Sequence, residues 1–170
     1  MTNRIRAIMD CKVTLGTDDK AYLDAVANLV RVYNQVATFN ANPKIKHPQN
    51  TALITLKGID GGLFLDRHDE GFWRVMLAAF PEQHQRKGYL GICLTAAELH
   101  GLDIQAVEVD LEDTDDIWKK RGFTEKGLVN LTPILFKPGM KEKYKINSTN
   151  SADGLPLDQV LRMLARYRQD

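Results

Sequence analysis

Phe80-Pro81-Glu82-Gln83-His84-Gln85-Arg86-Lys87-Gly88-Tyr89-Leu90-Gly91 follows the apolar run Phe72 to Phe80 and precedes a helical pattern. A strand that ends at a proline, a polar and basic turn, and a glycine at the mouth of a helix outline an anion site. The first turn of a helix leaves backbone N–H groups without intrahelical acceptors, and the macrodipole places partial positive charge there. Gly88 permits close backbone approach, and Arg86 and Lys87 add charge. The same residues also suit a plain strand-to-helix turn with solvated basic side chains.

Working outward, the helix from about Tyr89 to His100 places Leu90, Cys93, Leu94 and Ala97 on one stripe, with Gly101 as its C-cap. Leu90 either points along that stripe into the core or faces the space in front of the loop. Phe72 to Phe80 is apolar on both alternating faces, which suits the middle of a sheet, and Arg74 within it requires a partner or a route to the edge. Upstream, Thr51 to Lys57 and Leu63 to Asp66 flank Gly58-Ile59-Asp60-Gly61-Gly62 as a predicted hairpin. His68, beside Asp69 and Glu70, reads as an exposed turn histidine, with general-base chemistry as the alternative. Tyr22, Ala25, Val26, Leu29, Tyr33 and Val36 recur at helical spacing behind the start signal Thr17-Asp18-Asp19, and the polar segment Asn40 to Asn50 reads as a loop. Apolar alternations around Ile5 and Val13 predict one or two edge strands.

Downstream, Ile104 to Leu111 reads as a strand with Ala106, Glu108 and Asp110 on one face, an acidic face that meets solvent or lines a cleft. A short acidic helix through Asp113, Asp115 and Asp116 stops at Gly122-Phe123, and strands with bends at Gly127 and Pro133 run to Lys137. The predicted organisation is a domain over 1–138, a polar linker over 139–154 and an amphipathic helix over 155–170, which docks on its own domain or on a second copy to form a homodimer.

The chain has 170 residues, 44% of them hydrophobic and 26% charged, with a net charge of +1. That balance suits a soluble globular protein and gives no wholesale attraction to nucleic acid or membrane. Cys11 and Cys93 show no metal-ligand spacing and suit a reducing compartment, and Cys93 falls on an apolar stripe as a buried structural thiol. No run is long enough for a signal peptide or a membrane span, so the cytoplasm is the expected location.

Gln85-Arg86-Lys87-Gly88-Tyr89, between an apolar strand and a helix, resembles the acyl-CoA pyrophosphate loop of the GNAT superfamily of N-acetyltransferases. A second landmark, Trp118 to Gly122-Phe123, has the family's spacing of an aromatic residue, three residues, Gly-Phe. With the element order between them, the resemblance covers about Lys12 to Lys137. It implies the acyl-CoA N-acyltransferase fold: an α/β (α+β) protein with a mixed, mostly antiparallel central sheet flanked by helices. It also implies acetyl-CoA as co-substrate, held by Ala78, Phe80, Gln85, Arg86, Lys87, Gly88, Tyr89, Leu90 and Gly91, with Leu77 beside them on the strand. The implied reaction is direct attack of a primary amine on the thioester. The acceptor would be a protein lysine or N-terminus, or a small cationic amine, with Glu108 and Asp110 as candidate bases. The sequence departs from the pattern at Leu90, where the family has a small residue, at Leu111 and Thr114, and at Trp118, where many members carry a tyrosine acid. A catalytically impaired protein that binds a partner is therefore the alternative.

Overall fold

Lys20–Val36 forms one long helix because Tyr22, Val26, Leu29 and Val32 fall on a single face and can all be buried at once. The computed structural model describes residues 2–37, 40–69, 71–109, 115–129 and 132–144. The chain divides into two compact units, Met1–Ile104 and Gln105–Asp170.

In the first unit, helix α1 (Asn3–Met9) is followed by strand β1 (Cys11–Leu15), helix α2 (Lys20–Val36), β2 (Thr51–Leu56), β3 (Ile59–Arg67), β4 (Trp73–Ala79) and α3 (Tyr89–Leu99). The strands form antiparallel ladders, β1 on β2, β2 on β3 and β3 on β4. Leu53, Phe64 and Leu77 lie in register across β2, β3 and β4, and they pack with Ala79 against Tyr22, Val26, Leu29 and Val32 of α2. Each fully buried side chain of this kind contributes about 1.5–3 kcal/mol. By comparison, the exposed Arg31–Asp60 pair at 3.3 Å belongs to a class worth about 1 kcal/mol or less. Apolar burial therefore holds α2 on the sheet. Because side chains alternate along a strand, the other face carries Cys11, Ala52, Ile54, Leu63 and Leu65, and α3 packs there with Ile92, Cys93, Leu94, Ala96 and Ala97 buried.

Several expectations are corrected in this unit. The residues around Ile5 form α1, not a strand: Thr2 Oγ accepts the Ile5 N–H at 3.3 Å, and Ile5 and Met9 share a helix face four residues apart. The strand around Val13 is found, as β1. In α2, Ala25 and Val36 are exposed and Val32 is buried in their stead. The hairpin turn is Lys57-Gly58 alone, with Gly58 at φ 76°. Gly61 and Gly62 belong to β3. A Cβ at Gly62 would sit 2.0 Å from the Ile54 carbonyl oxygen, and one at Gly61 would sit 2.5 Å from that of Ala79. Glycine there serves close strand approach beside the register shift at Thr55/Leu56, not a turn. Arg74 finds its partner in Asp66, with Nε to Oδ1 at 2.9 Å and Nη2 to Oδ2 at 2.6 Å. His68 is half-buried and stacks on Phe72 with ring centroids 4.5 Å apart.

In the second unit, β7 (Thr132–Phe136) lies between β5 (Ile104–Glu108) and β6 (Glu125–Val129), antiparallel to both. Helix α4 (Asp115–Lys119) ends as expected at Gly122, with the Phe123 N–H bonded to the Trp118 carbonyl at 3.2 Å. Gly127 and Pro133 do not bend the strands; both sit inside the β6–β7 ladder. A Cβ on Gly127 would lie 2.8 Å from Phe136 Cε2, so the ring occupies that space, and the Pro133 carbonyl accepts the Val109 N–H at 3.1 Å. β5 is described as a strand to Glu108, with Ala106 and Val107 buried, and Asp110 and Leu111 at the end of the expected strand lie outside the described residues.

The expected linker is described only to Tyr144, where Lys141–Tyr144 form a short helix, α5, and the helix expected over 155–170 lies outside the described residues. With seven strands among the described residues, every pairing within a unit antiparallel, and helices flanking them, the expected α/β (α+β) class holds. No helix of the described residues is long and apolar enough to cross a membrane.

Candidate functional site

The turn that joins β4 to α3 is built from its own sequence. Pro81, at φ −54°, turns the chain off the strand, and Glu82–His84 make one 3₁₀ turn, closed by the His84 N–H to Pro81 O bond at 2.8 Å. Gln85 then reaches back, its Nε2 donating to the Phe80 carbonyl at 3.0 Å. Arg86 adopts φ 60° and Gly88 φ 81°, so the chain passes twice through the left-handed region before α3 begins.

Gly88 is the N-cap of α3 and supplies no side-chain cap; the first intrahelical bond runs from the Ile92 N–H to Gly88 O at 3.1 Å. The amides of Tyr89, Leu90 and Gly91 therefore have no acceptor within the helix. A Cβ at Gly88 would meet nothing within 4 Å, so the approach to these amides is open. Arg86 and Lys87 are exposed, and neither has an ion pair among the described residues. N–H groups without helical acceptors at the positive end of a helix, an open glycine and two exposed cations give this turn the chemistry that suits an anion.

Tyr89 packs between two rings of the same turn, with centroids 6.1 Å from Phe80 and 6.0 Å from His84. Phe80 is buried, so its ring supports the loop from below. His84 Nδ1 is buried with no hydrogen-bond partner among the described residues. Leu90 is half-buried, whereas Cys93, Leu94 and Ala97 on its stripe are buried.

The structure brings Phe80 and Gln85 through Gly91 into one turn, with Leu77 and Ala78 on the strand that leads to it. Gln85 serves that turn through the Phe80 carbonyl. Glu108 lies in the second unit, half-buried at the end of β5 and opposite Ile134 on β7. Asp110, with Leu111 and Thr114, lies outside the described residues. Trp118 is buried and edge-to-face with Phe123, centroids 5.7 Å apart. Two contributors were not singled out by sequence reasoning. One is His84; the other is Gly61, whose close approach to Ala79 and Phe80 sets the strand end from which the loop departs. The adjacent pair Gly61-Gly62 was the available signal.

Cys93 is buried, as its stripe implied, and so is Cys11. Burial pushes both thiols up from the ordinary range. For Cys11 the interaction with the Cys93 thiol opposes this; for Cys93 the neighbouring Cys11 reinforces it.

The sequence matches no protein-family model and no curated protein sequence. In structure the chain is similar to Ard1 from Thermoplasma volcanium, with a TM-score of 0.50 and 13% identity over 75% of this chain and 98% of that one. It is also similar to an aminoglycoside acetyltransferase from an uncultured soil metagenomic sample, with a TM-score of 0.46 and 19% identity over 71% of this chain and 93% of that one. A further similar structure is N-acetylglutamate synthase from Neisseria gonorrhoeae, complexed with coenzyme A and L-arginine. There the TM-score is 0.45 and the identity 16%, over 88% of this chain and 30% of that one. At these identities the likeness is one of fold.

Proposed function

From the acyl-CoA N-acyltransferase fold, shared with the GNAT superfamily, we propose that this protein is an acetyl-CoA-dependent N-acetyltransferase acting on a primary amine. The observation that carries the reading is the open cradle of Tyr89, Leu90 and Gly91 amides behind Gly88, flanked by Arg86 and Lys87, which have no ion pair among the described residues. These residues fit a pyrophosphate, and Leu77, Ala78 and Phe80 on the strand before the loop suit the pantetheine arm. In the reaction the acceptor ammonium first loses a proton to a carboxylate, for which Glu108 and Asp110 are the proposed bases. The amine nitrogen then bonds to the acetyl carbon, the C–S bond breaks, the nitrogen gives up its second proton to solvent to leave the amide, and the thiolate takes a proton from solvent. Holding the two substrates in line is the larger contribution, worth up to about 7–11 kcal/mol of barrier. The acceptors proposed are a protein lysine or N-terminus, or a small cationic amine.

Thermal melting with and without acetyl-CoA tests the reading. Ligand at a hundred times its dissociation constant adds about 2.7 kcal/mol of stability. Absence of any shift at millimolar acetyl-CoA overturns the proposal, and a shift abolished by Gly88→Glu supports the loop.

One observation favours a second reading, a binding or regulatory module without turnover. Trp118, at the position of the family's tyrosine acid, is buried against Phe123, and its indole N–H is far too weak an acid to protonate a thiolate. Acetyl-CoA binding without thiol release against a panel of amines and proteins would favour that module.

A further inference from the structure

We propose that β1 is a dimer edge: two copies of this chain pair their β1 strands antiparallel about a two-fold axis at Val13, and the run from Leu15 to Asp19 of each copy closes on the partner's α1.

β1 is the end strand of its sheet and, among the described residues, pairs with β2 alone. One row of its backbone N–H and C=O groups therefore faces outward, and such an edge is a template for another strand. The side chains beside it are uncovered too. Leu15, at the end of β1, is 61% exposed, and Met9 and Ile5, four residues apart on one face of α1, are 68% and 48% exposed. No residue of α1 is buried, although the helix packs on α3. Apolar side chains exposed singly are ordinary. Here three of them border one strand, because only Asp10 separates Met9 from β1.

Symmetry and charge name the occupant as a second copy. Placing the axis at Val13 is the one register that pairs all five residues of β1 across the edge. Cys11 then stands opposite the partner's Leu15, Lys12 opposite the partner's Thr14, and Val13 opposite the partner's Val13. Cys11 and Leu15 point to the same face of the sheet, the one that α3 covers. The partner's Leu15 thus arrives at the Cys11 end of the strand, where Met9 and Ile5 are exposed, and the axis repeats that contact at the other end. Past Leu15 the chain continues through Thr17-Asp18-Asp19, all exposed, toward the partner's α1, which carries exposed Arg4 and Arg6. None of Arg4, Arg6, Asp18 and Asp19 has an ion pair among the described residues. An acidic run therefore meets a basic helix at both ends of the interface. On the opposite face the two Lys12 side chains are exposed and diagonal, about 7–8 Å apart, where water and salt screen them. The pairing occupies the open edge of β1 in both copies, so the assembly closes at two. It does not depend on what the cradle binds.

Sedimentation velocity of the full chain over a concentration series tests the interface. A dimer is expected, with slower hydrogen exchange at β1 as it forms. Leu15→Glu is expected to raise its dissociation constant at least about tenfold without lowering the melting point of the monomer. A monomer at every concentration up to the millimolar range overturns the proposal. So does a dimer that Leu15→Glu leaves unchanged, or one in which exchange at β1 is no slower; the contact then lies elsewhere, for instance in residues 155–170. Charge exchange gives a second measurement. Arg4→Glu/Arg6→Glu sets glutamates against the partner's Asp18 and Asp19, and Asp18→Lys/Asp19→Lys sets lysines against the partner's Arg4 and Arg6. Asp19 makes no side-chain bond as the N-cap of α2, so all four positions tolerate replacement. Each variant alone is expected to be monomeric, and an equal mixture is expected to form a heterodimer, because both ends then attract. Two folded variants that stay monomeric when mixed overturn the pairing.

Discussion

The side-chain amide of Gln85 donates to the main-chain carbonyl of Phe80 at 3.0 Å, closing the turn between β4 and α3 on itself. This side chain ties the cradle to its own backbone, beside the packing of Tyr89 against Phe80 and His84. Gln85→Ala removes the bond and leaves the Phe80 carbonyl to water. The expected cost is about 1 kcal/mol of stability, seen as a lower urea midpoint, together with a smaller acetyl-CoA-dependent melting shift. Gln85→Glu sets a carboxylate against that carbonyl and is expected to lose more on both measurements. Equal shifts in all three proteins would show that the bond does not position the loop.

Arg86 combines a charge in the cradle with a backbone that its side chain disfavours, at φ 60°. The left-handed conformation costs an L-residue roughly 1–2 kcal/mol, and glycine escapes that cost at some expense in unfolded-state entropy. Arg86→Gly is therefore expected to be more stable than Arg86→Ala by about 0.5–1 kcal/mol. Both lose the guanidinium, so both should weaken acetyl-CoA binding alike and reduce its dependence on salt. Paired denaturation and binding titrations at two salt concentrations separate the backbone effect from the charge effect.

What the sequence revealed of this molecule was local chemistry. Gly88, Gly101 and Gly122 mark helix ends because a positive φ is needed there, and that need is decided within a few residues. The amphipathic stripe of α2 was legible for the same reason. The Gly61-Gly62 pair looked like a turn because composition does not distinguish a glycine that bends from one that yields space to Ile54 and Ala79, which are brought near only by the ladder. Ile5 was misread because a short alternation of apolar residues fits a strand, whereas the Thr2 cap made it a helix. In the site, the loop glycine and cations were legible. The Gln85–Phe80 bond and the buried His84 nitrogen were not, since each depends on how the loop folds back on itself.

The buried thiols predict a loss of stability in alkali. Burial raises Cys11 and Cys93 above their unfolded values, so the folded chain keeps thiol protons that the unfolded chain sheds above about pH 8.5. The unfolded state then binds fewer protons, and unfolding becomes easier as pH rises, by at most about 1.4 kcal/mol per pH unit for each retained proton. The contribution is fully present below the unfolded thiol range and is lost as pH climbs toward the folded values. Tyr22, raised by its burial despite the 2.7 Å bond to Thr51, adds to the slope above about pH 10. In Cys11→Ala/Cys93→Ala, urea midpoints between pH 8 and 10 should be flatter than in the parent. An unchanged slope would mean that these thiols titrate alike in both states.

Leu90 sits where the loop that this sequence resembles carries a small residue, and it is half-buried while Cys93, Leu94 and Ala97 on its stripe are buried. Part of its surface thus remains exposed at the first turn of α3, beside the free amides. Trimming it should affect binding more than folding. Leu90→Ala is expected to cost less than about 2 kcal/mol, the lower limit for fully buried leucines, whereas Leu94→Ala, at an 8% exposed position, should cost at least that much. Leu90→Ala should also tighten acetyl-CoA binding several-fold by calorimetric titration, because the smaller side chain leaves more room for a pyrophosphate over the Leu90 and Gly91 amides. Unchanged affinity with a stability loss equal to that of Leu94→Ala would place Leu90 wholly in the packed layer between α3 and the sheet. Weaker binding would show that its methyl groups hold the helix start in shape, and the search for what limits the cradle would turn to the left-handed Arg86.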